Sequence, residues 1–317
     1  TSDRQQIFAL FWATDEADPG QIVERWLDAN AFKGLDQWQG NLRFVTYAFA
    51  HNLQCQPFAN APRFGESIQL VELCQPQEQQ QVYPGAAAIV GLRWQSSAKL
   101  DRRYKVSVQL LDSRNQLIAQ RDSEPGGGSS PTIDWQVGAT IVDNHGLVIP
   151  AGVPPGDYRL IVALYDAESG QRLPTASGDF AEIGSITVVR PQKTIPVDVI
   201  AMQHRLNQPF ASGLTLVGYD LYEQGFAHDP NKPISPGAMA HLTLYWQAPA
   251  SLSPAWTADQ QFTLQMGRQT LTAPLAGGNY PTANWQSGEF VRGEFEIQFN
   301  GGKGVLRFPL FGFPVAI

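Results

Sequence analysis

Pro84-Gly85-Ala86, then Leu92-Arg93-Trp94-Gln95, then Ala98 and Leu100, return as Pro236-Gly237-Ala238, Leu244-Tyr245-Trp246-Gln247, Ala250 and Leu252. Every paired position lies 152 residues apart (84 to 236, 94 to 246, 100 to 252). A second block repeats at a spacing of 150. It sets Gly127-Gly128, Pro131-Thr132, Trp135-Gln136 and Gly138 against Gly277-Gly278, Pro281-Thr282, Trp285-Gln286 and Gly288. A match over two separate blocks marks a duplicated domain. The seam falls near Val189-Arg190-Pro191-Gln192-Lys193.

Each copy reads as β structure. Ala86, Ala88, Val90, Leu92 and Trp94 alternate along one strand face, as do Ala238, Ala240, Leu242, Leu244 and Trp246. This period of two, with one apolar face, is that of a half-buried strand. Tyr104 to Leu111 and Gln116 to Gln120 read as a hairpin around Asp112-Ser113-Arg114-Asn115. Pro154-Pro155-Gly156-Asp157 is a turn before a strand over Tyr158 to Tyr165. Short strands broken by Gly/Pro turns spell a sandwich or a barrel. The expectation is mainly β: two tandem antiparallel β-sandwiches of the immunoglobulin, fibronectin-III or carbohydrate-binding-module kind, over 59–191 and 192–317.

Residues 1–58 differ in texture. Ile7 to Ala13 is a continuous apolar run, the pattern of a strand covered on both faces. Asp18 is placed to cap a helix with Pro19 in its first turn and Gln21 closing a capping box. Ile22, Val23, Trp26 and Leu27 then share one helical face. Leu42 to Ala50 forms the next strand. Strand, helix, strand reads as a small β-α-β cap.

Composition narrows the function classes. The chain has 317 residues, 22 Lys+Arg against 29 Asp+Glu, and a net charge of -7, which argues against a nucleic-acid partner. It has no apolar run near the roughly 20 residues of a membrane span. The chain begins with Thr1 and shows no basic n-region before an apolar stretch, so it reads either as a chain whose N-terminal part was processed off or, the preferred reading, as an excised soluble piece of a longer protein.

No catalytic constellation assembles from the motifs. Ser96-Ser97-Ala98-Lys99 matches an acyl-enzyme signature, but it ends a strand where the signature should open a helix. Gly126-Gly127-Gly128-Ser129-Ser130 has no helix behind it to bind phosphate, and Gly301-Gly302-Lys303-Gly304 reads as a hairpin turn. His51, His145, His204, His228 and His241 do not pair at metal-ligand spacing. Asp15, Glu16 and Asp18 are a turn and cap cluster that could instead contact a metal or sugar. No catalytic residue, metal or cofactor is assigned. Trp94 and Trp246 belong to the core. Trp135 and Trp285 carry two readings, core packing or stacking on a ligand, with Gln136 and Gln286 beside them as hydrogen-bonding amides. Cys55 and Cys74 are read either as a disulfide pair or as two separate buried thiols.

Several strings also carry a resemblance. They are Asp18-Pro19 with Val23-Glu24-Arg25-Trp26-Leu27-Asp28, Trp38-Gln39-Gly40-Asn41-Leu42-Arg43, Gln109-Leu110-Leu111-Asp112 and Gln120-Arg121-Asp122-Ser123-Glu124-Pro125-Gly126-Gly127. Pro131-Thr132 to Trp135 and Pro155-Gly156-Asp157-Tyr158-Arg159-Leu160 to Leu164-Tyr165-Asp166 join them. Together they resemble the soluble C-terminal region of bacterial polytopic membrane glycosyltransferases. Those proteins are similar to the dolichyl-phosphate-mannose protein mannosyltransferase family, with its GT-C membrane fold. The resemblance implies a parent that transfers sugar from a polyprenyl-phosphate donor at the extracytoplasmic side of the bacterial membrane. It also implies that the catalytic acidic residue sits between membrane helices outside this chain, so no catalytic residue carries over. The region would then pack on the membrane domain of its parent or contact acceptor or cell-wall glycan. A carbohydrate-binding tandem and a structural or adhesive surface protein are the alternatives.

Overall fold

The computed structural model describes residues 6–76, 81–191, 195–210, 212–225, 232–252, 259–266, 269–299, 304–307 and 315–316. The protein is mainly β: 51% of it is strand, in curled sheets, against two short α-helices. It divides into two compact units. Unit 1 comprises Thr1–Leu111, Leu117–Ile149 and Asp157–Thr187, and unit 2 comprises Asp112–Gln116, Pro150–Gly156 and Val188–Ile317.

Unit 1 runs β1 (Gln6–Phe11), α1 (Thr14–Ala17), α2 (Ile22–Asn30), β2 (Phe32–Gln39), β3 (Leu42–Ala48), β4 (Leu53–Pro57), β5 (Arg63–Phe64) and β6 (Ile68–Pro76). It continues with β7 (Gln81–Val82), β8 (Ala87–Ser96), β9 (Tyr104–Leu111), β10 (Leu117–Ser123), β11 (Ile141–Val148), β12 (Gly156–Asp166) and β13 (Ala181–Val188). One sheet has the order β1-β3-β2-β11-β8-β6-β4 with β5 on β6, and the other β10-β9-β12-β13-β7. Unit 2 holds β14 (His204–Pro209), β15 (Thr215–Glu223), β16 (Met239–Gln247), β17 (Gln261–Met266), β18 (Gln269–Pro274), β19 (Phe290–Gln298), β20 (Gly304–Arg307) and β21 (Val315–Ala316). Its sheets are β14-β15-β16-β19 and β18-β17-β20-β21.

The strand orders match. β4-β6-β8-β11 with β10-β9-β12-β13 corresponds to β14-β15-β16-β19 with β18-β17-β20-β21. The likeness reaches single residues. Trp94 pairs with Leu70, and the ladder then slips by one residue before Glu72 meets Arg93. Trp246 pairs with Leu216, and the same slip precedes the Gly218–Tyr245 pair. Both indoles are fully buried. Phe64 meets Trp94 edge-on at 5.5 Å, and Phe262, from the other sheet of unit 2, lies 6.3 Å from Trp246. In unit 2 one apolar cluster joins Leu216, Leu242 and Leu244 of one sheet to Phe262 and Leu264 of the other.

The second repeated block is a shared turn. The Gly138 amide donates to the Ser96 carbonyl and the Gly288 amide to the Pro249 carbonyl, both at 2.9 Å. Both glycines hold φ above +60°, at 76° and 70°, where a side chain is strained. Thr132 and Thr282 are clamps: each hydroxyl accepts a backbone amide, from Tyr104 at 3.0 Å and from Gln260 at 2.8 Å.

The N-terminal segment departs from expectation. It contains a further strand, β2, and β1 runs antiparallel to β3, so the unit is not a parallel β-α-β. β2 joins β11 in parallel at Lys33–His145, which makes the segment an extension of the large sheet. Gly146 permits the approach, since a Cβ there would lie 2.7 Å from the Phe32 carbonyl oxygen. β1 is an edge strand rather than one covered on both faces: Phe8 is 64% and Leu10 70% exposed. Helix α2 starts at Ile22, later than expected, and Pro19 stands outside it. The Asp18 carboxylate still caps it, accepting the Ile22 and Val23 amides at 2.9 and 3.1 Å. Only Leu27 of the expected apolar helix face is buried, against Val45 and Tyr47.

Candidate functional site

Unit 1 carries an open groove of about 950 Å³ between the Asp101–Arg103 loop, β9, the end of β10 and the turn after β12. The Thr132 clamp fixes the backbone of the lining residue Arg102, because its hydroxyl also donates to the Arg102 carbonyl at 2.6 Å. Arg102 reaches Asp166 at 3.3 Å, and Arg103 grips both oxygens of Glu124. Asp166 accepts the Ser169 amide at 2.7 Å and its hydroxyl at 2.9 Å. These bonds, first the backbone one, hold its carboxyl at about 2. The partner carboxylates raise the Arg102 and Arg103 guanidiniums above their ordinary value. Lys105 and Glu168 also line the groove, and neither forms an ion pair among the described residues. Ile133 adds an exposed apolar surface at the rim.

A buried network fixes the groove's glycine turn. Asp143 has no exposed surface, and its carboxylate accepts the Gly126 amide at 2.9 Å, the Trp94 indole N–H at 3.0 Å and His145 Nε2 at 2.8 Å. Arg121 has only donors, so His145 Nδ1 accepts from it at 3.1 Å and Nε2–H faces Asp143. Arg121 also donates to the Gly34 carbonyl and thereby ties β10 to β2. Burial acts to raise the Asp143 carboxyl, yet His145, the Gly126 amide and the Trp94 N–H hold it below the ordinary value. The groove therefore offers guanidinium, ammonium, carboxylate and backbone groups in fixed positions. It suits hydrogen bonding to a polar ligand.

The residues singled out from the sequence fall in different places. Trp135 and Trp285 are buried at 4% and 3% exposure, and their N–H groups donate to the Ser130 and Tyr280 carbonyls. Their ring faces are taken up by packing, so the stacking reading loses its platform. Gln136 and Gln286 are exposed, one in each unit. Cys55 and Cys74 are directly paired across β4 and β6 and bonded as a disulfide, with Cα atoms 3.9 Å apart. Glu72 lies beside them, but the bonded sulfurs leave no thiolate for a metal.

Unit 2 holds a second buried polar cluster. Glu294 accepts His241 Nε2 at 2.8 Å and the Thr243 hydroxyl at 2.6 Å, and Arg292 bonds its other oxygen. Burial acts to raise this carboxyl, but Arg292, His241 and Thr243 bring it down to about 2. The imidazole and the hydroxyl both bond the carboxylate rather than each other, so no nucleophile–base relay forms. His204 stacks on Tyr219, His51 is exposed, and His228 lies outside the described residues.

Sequence reasoning missed an apolar surface. Ile22 (73%), Val23 (56%) and Trp26 (57%) turn outward on α2. Trp38, exposed at 65%, lies on the α2 side of the sheet: Arg43 sits over its ring and over that of Phe11 while bonding Glu24 of α2. Lys33 is buried between Glu24 and Asp28, so the helix is pinned by charge as well as by Leu27. The helical spacing was visible in the sequence. What it could not reveal is that the face has too little sheet to cover it.

No protein-family model matches the chain, and no curated protein matches it.

Proposed function

We propose that the chain is a non-catalytic extracytoplasmic accessory region of a bacterial polyprenyl-phosphate-sugar-dependent membrane glycosyltransferase. In this reading two tandem antiparallel β-sandwiches follow a small α/β cap, and the cap packs on the membrane domain. The observation that carries it is the outward apolar face of α2, Ile22, Val23 and Trp26, in a segment that also exposes Trp38. Burying one aliphatic side chain of this kind is worth roughly 1.5–3 kcal/mol, so leaving two of them and a tryptophan outward favours a partner. A helix satisfies its own backbone and can enter an apolar environment, and tryptophan suits the boundary between lipid and water. The disulfide fits an oxidising compartment. No helix among the described residues is long and apolar enough to cross a membrane.

The test begins with the coding sequence upstream of Thr1. Apolar spans of about 20 residues are expected there. With the full coding sequence expressed, a photo-crosslinker at Ile22 should then capture those spans or lipid. An upstream sequence without spans, or a crosslinker that captures neither, overturns the reading.

The groove favours a second reading, a carbohydrate-binding tandem. Its Arg–carboxylate pairs and its unpaired Lys105 and Glu168 offer donors and acceptors to sugar hydroxyls. Glycan-array binding that Arg103→Ala abolishes would establish it, and an empty array would remove it.

A further inference from the structure

We propose that β1 is a self-association edge through which two copies of this chain join by antiparallel strand pairing. The observation is comparative. A free sheet edge presents unpaired backbone N–H and C=O groups, and proteins normally guard it with charge, proline, a bulge or brevity. Every other edge among the described residues is guarded. β4 ends in Pro57 and is tethered by the disulfide; β10 carries Arg121 and a register shift. β14 has a register shift and Pro209, β18 ends in Pro274, and β19 carries three charges. β5, β7 and β21 are two residues long.

β1 has none of these devices. It is six residues, Gln6-Ile7-Phe8-Ala9-Leu10-Phe11, without charge, proline or register shift against β3. β3 occupies one side of it, and alternate residues turn their N–H and C=O groups to the other. Those groups select the occupant. Lipid offers no hydrogen bonds, so an apolar surface with an open strand edge is not matched by a bilayer. A strand satisfies both the backbone and the side chains.

The sequence of β1 then favours a second copy. An antiparallel pair with its two-fold axis at Ala9 sets Phe8 opposite Leu10 of the other copy, and Ile7 opposite Phe11. Phe8 and Leu10 are the strand's most exposed side chains, and Phe8 already stacks on Phe44 at 6.0 Å. The four side chains form one apolar row on the face away from α2, with no charge to oppose the approach. Such a two-fold contact is closed and self-complementary. It is also small, so the dimer is weak and depends on concentration. It uses a different surface from the outer face of α2, and so stands or falls separately from the membrane-docking reading.

The experiment is sedimentation equilibrium of the purified chain between about 1 µM and 1 mM, the range of weak association. The mass is expected to rise from 34.8 kDa toward twice that value. Two double variants test the register. Phe8→Lys with Leu10→Lys sets like charges opposite each other and should stay monomeric. Phe8→Glu with Leu10→Lys sets opposite charges across the axis and should still dimerise. Far-UV circular dichroism and melting confirm that each variant is folded, and if the lysine pair unfolds the chain, Phe8→Ser with Leu10→Ser takes its place. A wild-type chain that stays monomeric overturns the proposal, even where it captures an unrelated β-strand peptide. A lysine or serine variant that associates like wild type, or a charge-paired variant that does not associate, overturns it too.

Discussion

Asp143 and Glu294 are buried carboxylates that stay charged because their partners are fixed around them. Removing one end of such a network leaves the other end charged and unpaired. Asp143→Ala would strand the Trp94 N–H, the Gly126 amide and His145 Nε2–H, and would take from the buried Arg121, which burial already pulls below its ordinary value, the negative charge that most offsets that burial. Breaking a buried pair costs about 3–5 kcal/mol, and a loss of that order is expected in urea unfolding. A loss below about 1 kcal/mol would show that Asp143 does not hold the network. Glu294 gives a pH-dependent counterpart. Its folded carboxyl sits at about 2 against an ordinary 4.5. A depressed carboxyl contributes stability that is complete above the unfolded value and is lost as pH falls through the folded one. Stability should therefore decline from about pH 4.5 toward pH 2, by an amount on the order of 3 kcal/mol. Glu294→Gln should flatten that decline while lowering stability at neutral pH. An equal slope in both proteins would place the acid sensitivity elsewhere.

Among the elements, β4 depends most on one bond. It is five residues long, lies at the sheet edge and is mostly exposed, so its own packing is slight. The disulfide closes a loop between residues 19 apart, which restrains the unfolded chain by about 3 kcal/mol. Reduction should lower the urea midpoint accordingly, and protein prepared without reductant should show no titratable thiol after denaturation. Two free thiols would refute the bond. The elements also show what the sequence could convey. β8 and β16 were legible because alternation and a buried Trp coincide in one strand. β2 was not: Phe32-Lys33-Gly34-Leu35-Asp36-Gln37-Trp38-Gln39 hides its pattern, since Lys33 is buried between carboxylates and Gly34 is there for close approach. β1 misled in the opposite sense. A continuous apolar run reads as covered on both faces, but coverage is set by neighbours that the run does not contain. The groove was invisible for a related reason, because Arg102, Glu124 and Asp166 come from three elements that only the strand order brings together.

The whole molecule devotes its repeated residues to scaffolding. Trp94 and Trp246 fill cores, Thr132 and Thr282 clamp turns, and Gly138 and Gly288 supply left-handed backbone. Its strongest carboxylate interactions are likewise structural: Asp143 holds a glycine turn, and Glu294 is enclosed by Arg292, His241 and Thr243. Sugar transfer from a lipid phosphate needs a base near the acceptor hydroxyl and positive charge at the leaving phosphate. Of the groove's three cations only Lys105 is without an ion pair among the described residues. Arg102 and Arg103 are committed to Asp166 and Glu124, and the chain as a whole carries 22 Lys+Arg against 29 Asp+Glu. A carboxyl held at about 2, as in Asp166, is also too weak a base to take a proton near neutral pH. The purified chain, incubated with labelled polyprenyl-phosphate sugars and with common polysaccharides, should therefore form no product above a heat-killed control. Turnover that is abolished by Asp101→Asn or Glu168→Gln, at the two groove carboxylates without an ion pair among the described residues, would place a working acid or base in the groove and overturn the non-catalytic reading.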